Sequence, residues 1–241
     1  MKKKSKSKKI KFIPVNVPKI FREDKIYVKN SLNTNFPNIP VLSEELKYPE
    51  NIPETFWLVD PLDGTKEFIK KTNQFTVNIA LVHESESIFG MVSAPAMKKI
   101  WLSTKSNLAI KTQESIYDSK INVATSASHS SDDDTNFLNF LKDNGVDAQP
   151  MPLGRSLKIC LAADGDVDIY PRFGPTSEWD IAAANAVLSS AGGLLLDLES
   201  HQNIAYGKQD SVLNPRFIAI SPHINDIEVL KIVEEFNKTL L

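Results

Sequence analysis

Two aspartates three residues apart, in the string Asp60-Pro61-Leu62-Asp63-Gly64-Thr65, carry the strongest chemical signal in the chain. Carboxylates at that spacing around a stiff proline can converge on one hard cation, and the Leu62 carbonyl between them is a third oxygen ligand. The same string also suits an ordinary surface turn, because Asp-Pro and Asp-Gly favour turns for backbone reasons alone. If Gly64 and Thr65 open a helix, its free N–H groups suit a phosphate, and metal and phosphate then lie side by side. Two weaker acidic signals stand elsewhere. Glu44-Glu45 follows Pro40-Val41-Leu42-Ser43, an apolar segment that would deliver carboxylates to its end, although two glutamates near a loop are ordinarily solvated. Asp180, after Trp179, opens an Ala-rich stretch, where an aspartate serves as an N-cap and, from that fixed position, can also hold a metal.

These residues need elements to hold them. Residues 56–59 read as a buried strand running into the turn-rich string 60–65, with a short helix over 66–71 behind it. Phe75, Val77, Ile79 and Leu81 alternate with Thr76, Asn78, Ala80 and Val82, the period-two mark of a strand with one face more buried than the other. Residues 88–93 and 100–103 are its antiparallel successors, and 108–112 extend the meander. Upstream, Pro14, Pro18 and Pro37 bracket a short helix over 22–32, with 33–40 as loop. In the second half, 121–125, 167–170 and 194–198 read as strands. Residues 132–144, 156–163 and 180–191 read as helices, the first closed by Gly145 and the last by Gly192-Gly193. The helix over 156–163 places Leu157, Cys160 and Leu161 on one face, so Cys160 is expected in the core rather than as a nucleophile. A meander followed by alternating helices and strands predicts an α+β or layered α/β architecture, as two subdomains with a cleft between them.

Composition sets outer limits. With 241 residues, 41% hydrophobic and 24% charged, the chain has the make-up of a globular protein with a large core. A single cysteine excludes an internal disulfide and a Cys-rich zinc site, and favours a reducing compartment. The net charge of -2 hides an asymmetry, because residues 1–11 carry seven lysines and no acid. That tail reads as a solvated arm rather than a nucleic-acid contact, since it has no aromatic to stack on bases. No uninterrupted apolar run is long enough for a transmembrane helix.

Taken together, Glu44 in Pro-Val-Leu-Ser-Glu-Glu, the string WLVDPLDGTKEFI over 57–69, FTVNIAL over 75–81 and WDIAAANAVLSSAGG over 179–193 resemble the inositol monophosphatase superfamily. Within it they are similar to the 3'(2'),5'-bisphosphate nucleotidase family of the bacterial CysQ type, in order and spacing, from Pro37 to Ile220. The resemblance implies an α-β-α-β-α sandwich with its N-terminal helices largely missing. It divides the chain into a basic segment (1–40), a metal-binding antiparallel-sheet subdomain (41–115) and a C-terminal α/β subdomain (116–241), forming one phosphatase unit. It also implies a cytoplasmic Mg2+-dependent phosphatase, with peripheral association with the inner membrane face left open. The substrate would be a small bisphosphate nucleotide and no nucleic acid: adenosine 3',5'-bisphosphate, cleaved to AMP and phosphate in support of sulfur assimilation.

Carried over by position, Glu44, Asp60, Asp63 and the Leu62 carbonyl would hold metal, with Asp180 completing the cluster from the other subdomain. Asp60, Asp63 and Thr65 would be the catalytic set. Gly64 and Thr65 would receive the scissile phosphate, and Glu44 and Asp180 would also border the substrate. Ser126, His129, Ser156, Lys158 and Arg172 would contact the nucleotide, with Lys158 and Arg172 neutralising the second phosphate.

The chain departs from the family pattern in three places. Ala127 stands where the motif usually has Arg, and Arg155 where it usually has Ser. Upstream, the family has a longer region with a Ser-Pro-Val-Thr-x-Ala-Asp segment whose aspartate helps activate the attacking water. The nearest echo here, Pro14-Val15-Asn16-Val17-Pro18-Lys19, has no carboxylate. Counting back from Pro40 without gaps lands on Phe21, with Asp24 about one helical turn away. Losing such a group costs about 10² to 10⁴ in rate, so two alternatives stay open: an inositol monophosphatase-type sugar phosphatase, and an impaired relative that binds nucleotide or metal.

Overall fold

The computed structural model describes residues 20–46, 48–103, 114–118, 120–126, 132–153 and 157–239, with side chains from residue 27 onward. Helix α1 (Ile20–Asn35) precedes β1 (Val41–Ser43), β2 (Thr55–Asp63), the short α2 (Thr65–Ile69), β3 (Thr76–His83), β4 (Glu86–Ala94) and β5 (Lys99–Leu102). Then come β6 (Ile121–Ser126), α3 (Asp132–Asp143), β7 (Ala148–Leu153), α4 (Leu157–Asp164) and β8 (Ile169–Arg172). The chain ends through α5 (Glu178–Ser190), β9 (Leu194–Asp197), β10 (Phe217–Ile220) and α6 (Asp226–Thr239).

The first sheet has the order β1-β2-β3-β4-β5; β1 runs parallel to β2 and the rest is an antiparallel meander. The second has the order β7-β6-β8-β10-β9, with β6 parallel to β7 and β8, and β10 antiparallel to β8 and β9. Helices α4 and α5 lie between the sheets, and their apolar residues share one core with both. That position explains the composition of α5: Ile181 to Ala184, Ala186, Val187 and Leu188 are all buried, because a helix covered on several sides needs small apolar residues rather than one stripe. The approach to β4 is close. A Cβ added at Gly90 would sit 2.0 Å from the Ala183 carbonyl oxygen, and the Ser87 hydroxyl donates to the Ala182 carbonyl at 2.7 Å.

On the far side of the second sheet, Phe137 and Leu141 of α3 and Val229, Ile232, Val233 and Phe236 of α6 build a second core. Beside the first sheet, Phe36, just past α1, packs its ring 5.2 Å from that of Trp57. The layers are therefore α-β-α-β-α, as the resemblance implied, with α1 alone on the outer face of the first sheet among the described residues. No helix among the described residues is long and apolar enough to cross a membrane.

Several elements differ from their sequence-based expectation. The strand expected over 56–59 continues to Asp63, so the acidic string is a bulged strand end rather than a free turn. Helix α4 is buried around more than one stripe, Lys158 and Ile159 included, because it too is sandwiched; Cys160 lies in the core, where burial pushes its thiol pKa up. Helix α1 runs on to Asn35 through part of the expected loop. Strand β7 carries Pro150 and Pro152, which a sheet accepts because β7 is an edge. The expected strand over 108–112 and the lysine tail lie outside the described residues.

Candidate active site

On a regular strand, residues three apart point to opposite faces. In β2 the register slips between Asp60, opposite Asn78, and Asp63, opposite Thr76: three residues of β2 span two of β3. This bulge restores the parity, so both aspartates face inward, 1% and 2% exposed. Pro61 lies within the bulge, where a missing N–H interrupts no ladder hydrogen bond. The Asp60 carboxylate then accepts the Leu62 N–H at 2.9 Å, which ties the bulge to its own first residue.

Asp180 arrives from the middle layer. The N-cap of α5 is Ser177, so Asp180 is the third helical residue and not the cap itself, as its place at the start of the Ala-rich run had suggested. Its carboxylate accepts the Ser177 N–H at 2.9 Å, the return half of a capping box. Held in this way, one carboxylate oxygen from each of Asp60, Asp63 and Asp180 lies within 4.8 Å of the others.

The electrostatics follow from that geometry. Burial pushes the Asp60 pKa well above the usual carboxylate range, the charges of Asp63 and Glu44 add to it, and Asp180 adds less; the Leu62 N–H opposes the shift. Glu44 itself is exposed, at the turn after β1, where the parallel pairing of Ser43 with Val59 brings it level with Asp60. Buried carboxylates that repel one another gain most from a cation between them, and an all-oxygen donor set suits a hard one. The residues present therefore fit a metal of that class.

Next to the aspartates, Gly64 has φ +89°, and a Cβ there would lie 3.0 Å from the Gln74 carbonyl oxygen; glycine is needed both for the turn and for the approach. Thr65 begins α2, exposed, and its hydroxyl donates to the Leu62 carbonyl at 3.4 Å. From the second half, Tyr170 of β8 is buried; burial pushes its phenol pKa up, Arg172 opposes this, and Asp134, then Asp63 and Asp180, contribute to the rise. The Lys158 ammonium lies over the Tyr170 ring, 4.8 Å from its centroid, on a residue only 3% exposed. The Arg172 guanidinium donates to the Pro175 carbonyl at 3.3 Å. Two cations and the acidic cluster thus border the same phenol.

Ser126 ends β6, half-buried, while His129 and Ser156 lie outside the described residues, as do Ala127 and Arg155. Asp24 falls within α1, its side chain also outside them. Sequence reasoning missed Thr76 and Asn78, buried opposite Asp63 and Asp60. Their signal was present in the alternation of β3, whose Thr76, Asn78, Ala80 and Val82 set is the more buried face although Val77, Ile79 and Leu81 are the more apolar. A second group of ligand-type side chains, Glu54, His83 and Glu84, is largely exposed, and His83 Nδ1 is hydrogen-bonded to the Thr55 hydroxyl at 2.7 Å.

The 3'(2'),5'-bisphosphate nucleotidase CysQ of Salmonella typhimurium is 39% identical over 199 residues, 79% of this chain and 79% of the relative. The protein of the same name from Haemophilus influenzae is 31% identical over 210 residues, 80% of this chain and 76% of the relative. The crystal structure of CysQ from Bacteroides thetaiotaomicron matches with a TM-score of 0.72 at 30% identity, over 83% of each chain. The Thermotoga maritima IMPase shares the fold, with a TM-score of 0.69 at 23% identity over 91% of this chain and 84% of that one. A family model described as "Inositol monophosphatase family" matches residues 19–237. The chain belongs to the inositol monophosphatase family.

Proposed function

We propose that this chain is a Mg2+-dependent 3'(2'),5'-bisphosphate nucleotidase that hydrolyses the 3'-phosphate of adenosine 3',5'-bisphosphate to AMP and phosphate, in support of sulfur assimilation. The observation that carries the reading is the convergence of Asp60, Asp63 and Asp180, three carboxylates from two separate parts of the fold, within 4.8 Å. Supporting it are the names and coverage of the CysQ relatives.

In this reading Asp60, Asp63, Asp180, Glu44 and the Leu62 carbonyl hold the metal. When bound, Mg2+ supplies Lewis-acid stabilisation of the phosphoryl oxygens and lowers the pKa of a water. Gly64 and Thr65 offer backbone N–H groups to the scissile phosphate, and the Thr65 hydroxyl, anchored on the Leu62 carbonyl, orients the attacking water. The water oxygen bonds to phosphorus as the bond to the ribose 3'-oxygen breaks; the water gives up one proton, and the 3'-oxygen leaves as the alcohol by taking up a proton in its place. Lys158 and Arg172 counter the charge of the second phosphate, with Ser126, His129 and Ser156 beside the nucleoside. Residues 41–115 and 116–241 act as two halves of one phosphatase unit, and the single cysteine fits a cytoplasmic setting.

Phosphate release by the purified chain should require Mg2+ and fall by at least about a hundredfold in Asp60→Asn, measured at saturating metal. Metal-independent release, or full activity in that variant, would contradict the assignment. A second reading, nucleotide or metal binding with weak turnover, rests on the absence of a carboxylate in Pro14 to Lys19. It predicts calorimetric binding of the bisphosphate nucleotide without rapid turnover.

A further inference from the structure

We propose that Glu178 is a positioning residue for the metal centre: its buried carboxylate fastens the loop 205–214 against the first turn of α5 and thereby fixes Asp180. This rests on the reading of Asp180 as a metal ligand.

Glu178 is 0% exposed, yet it is not one of the carboxylates gathered around Asp60. A carboxylate so deeply buried is retained only where several donors compensate it. Here its Oε2 accepts the Gly207 N–H at 2.8 Å, and its Oε1 accepts the Lys208 N–H at 3.1 Å and the Lys208 ammonium at 2.5 Å. Gly207 has φ +75°, and a Cβ there would lie 3.0 Å from the ring of Phe56 in β2. The loop therefore reaches Glu178 only because glycine can take that conformation against the strand that carries Asp60.

The same loop holds the residues on either side of Glu178. The Glu178 N–H donates to the Val212 carbonyl at 2.9 Å, and the Asn214 N–H to the Thr176 carbonyl at 2.8 Å. The Asn214 amide donates to the Ser177 carbonyl at 2.8 Å and the Thr176 hydroxyl at 3.0 Å. Ser177 is the residue whose N–H the Asp180 carboxylate accepts. An unbroken set of hydrogen bonds thus runs from the loop through residues 176–178 to Asp180. On its other side Glu178 faces Tyr48, whose phenol pKa is pushed up by burial first and then by the Glu178 charge; the Tyr48 ring lies 6.0 Å from that of Trp179. Tyr48 follows Glu44 by four residues, so Glu178 joins the segment after one proposed ligand to the helix carrying another.

The test uses the whole chain as wild type, Glu178→Ala and Glu178→Gln. Three quantities are measured: binding of Mn2+ alone by calorimetry, the Mg2+ dependence of phosphate release, and the melting temperature. Removing a hydrogen-bond partner that touches a metal ligand weakens metal affinity by about 10- to 100-fold; Glu178 reaches Asp180 only through residues 176–177, so the lower end of that range, about tenfold, is expected. Glu178→Ala should bind Mn2+ weaker by that factor and need correspondingly more Mg2+, with kcat largely recovered at saturating metal. Glu178→Gln keeps the length and one acceptor for the Gly207 N–H, so it should recover part of the affinity; it is read alone if the alanine variant does not fold. Variants that melt lower but bind Mn2+ as tightly as wild type would overturn the inference and leave a purely structural role. A wild-type chain that neither binds Mn2+ nor releases phosphate would overturn the underlying reading and the inference with it.

Discussion

Asp60 shows how a site can oppose the stability of the fold that carries it. Its pKa is raised by burial and by the neighbouring Asp63, Glu44 and Asp180 charges, so the folded state holds the Asp60 proton more tightly than the unfolded chain does. For a raised pKa the stabilising contribution is fully present below the unfolded value of about 4 and is lost as pH rises through the folded value. Without metal, the buried Asp60 therefore weakens the fold progressively as pH rises above about 4. Asp60→Asn removes that charge while keeping an oxygen for the Leu62 N–H. In chelator its melting temperature should exceed that of wild type, by a margin that widens as pH rises above about 4. A variant less stable than wild type at pH 8 would contradict this. Added Mg2+ should reverse the order by stabilising wild type alone.

Among the elements, α5 connects packing to the site, because it presents Asp180 while lying directly on β4. Gly90→Ala would drive a methyl to within 2.0 Å of the Ala183 carbonyl oxygen, so helix and strand must separate. Overpacking of this kind costs about 1–3 kcal/mol, and the displaced helix should also need more Mg2+ for phosphate release; an unchanged melting temperature would show the contact to be looser than described. The existence of α5 was legible from its alanines and the Gly192-Gly193 stop, and the meander from the period-two alternation over 75–82. The bulge at Pro61 was not, since the dipeptides that make it are also turn formers, and only pairing with β3 decides between the two. Helix α6 shows its core face as Val229, Ile232, Val233 and Phe236, a helical spacing that sequence reasoning passed over. Strand β10, by contrast, is four apolar residues whose state only its neighbours in the sheet determine. The acidic residues were individually visible, but Thr76, Asn78 and Glu178 owe their places to partners distant in sequence.

At the scale of the molecule, the site lies where the first sheet meets the helices shared with the second. Asp60 and Asp63 come from a strand of one half, Asp180 from a helix between the halves, and Tyr170, Lys158 and Arg172 from the other. The halves are joined by a common core and by Asp164 at the end of α4, whose carboxylate accepts both the Lys99 ammonium at 2.6 Å and the Trp101 indole N–H at 2.8 Å. In the proposed reading, a cluster assembled in this way would place phosphate chemistry at the seam, with Lys158 and Arg172 of the second half beside it. Phosphate release from adenosine 3',5'-bisphosphate and from inositol phosphate, measured side by side with and without Mg2+, decides the activity. Release should depend on Mg2+ and strongly prefer the bisphosphate nucleotide. Preference for inositol phosphate, or no release from either, would contradict the proposed function.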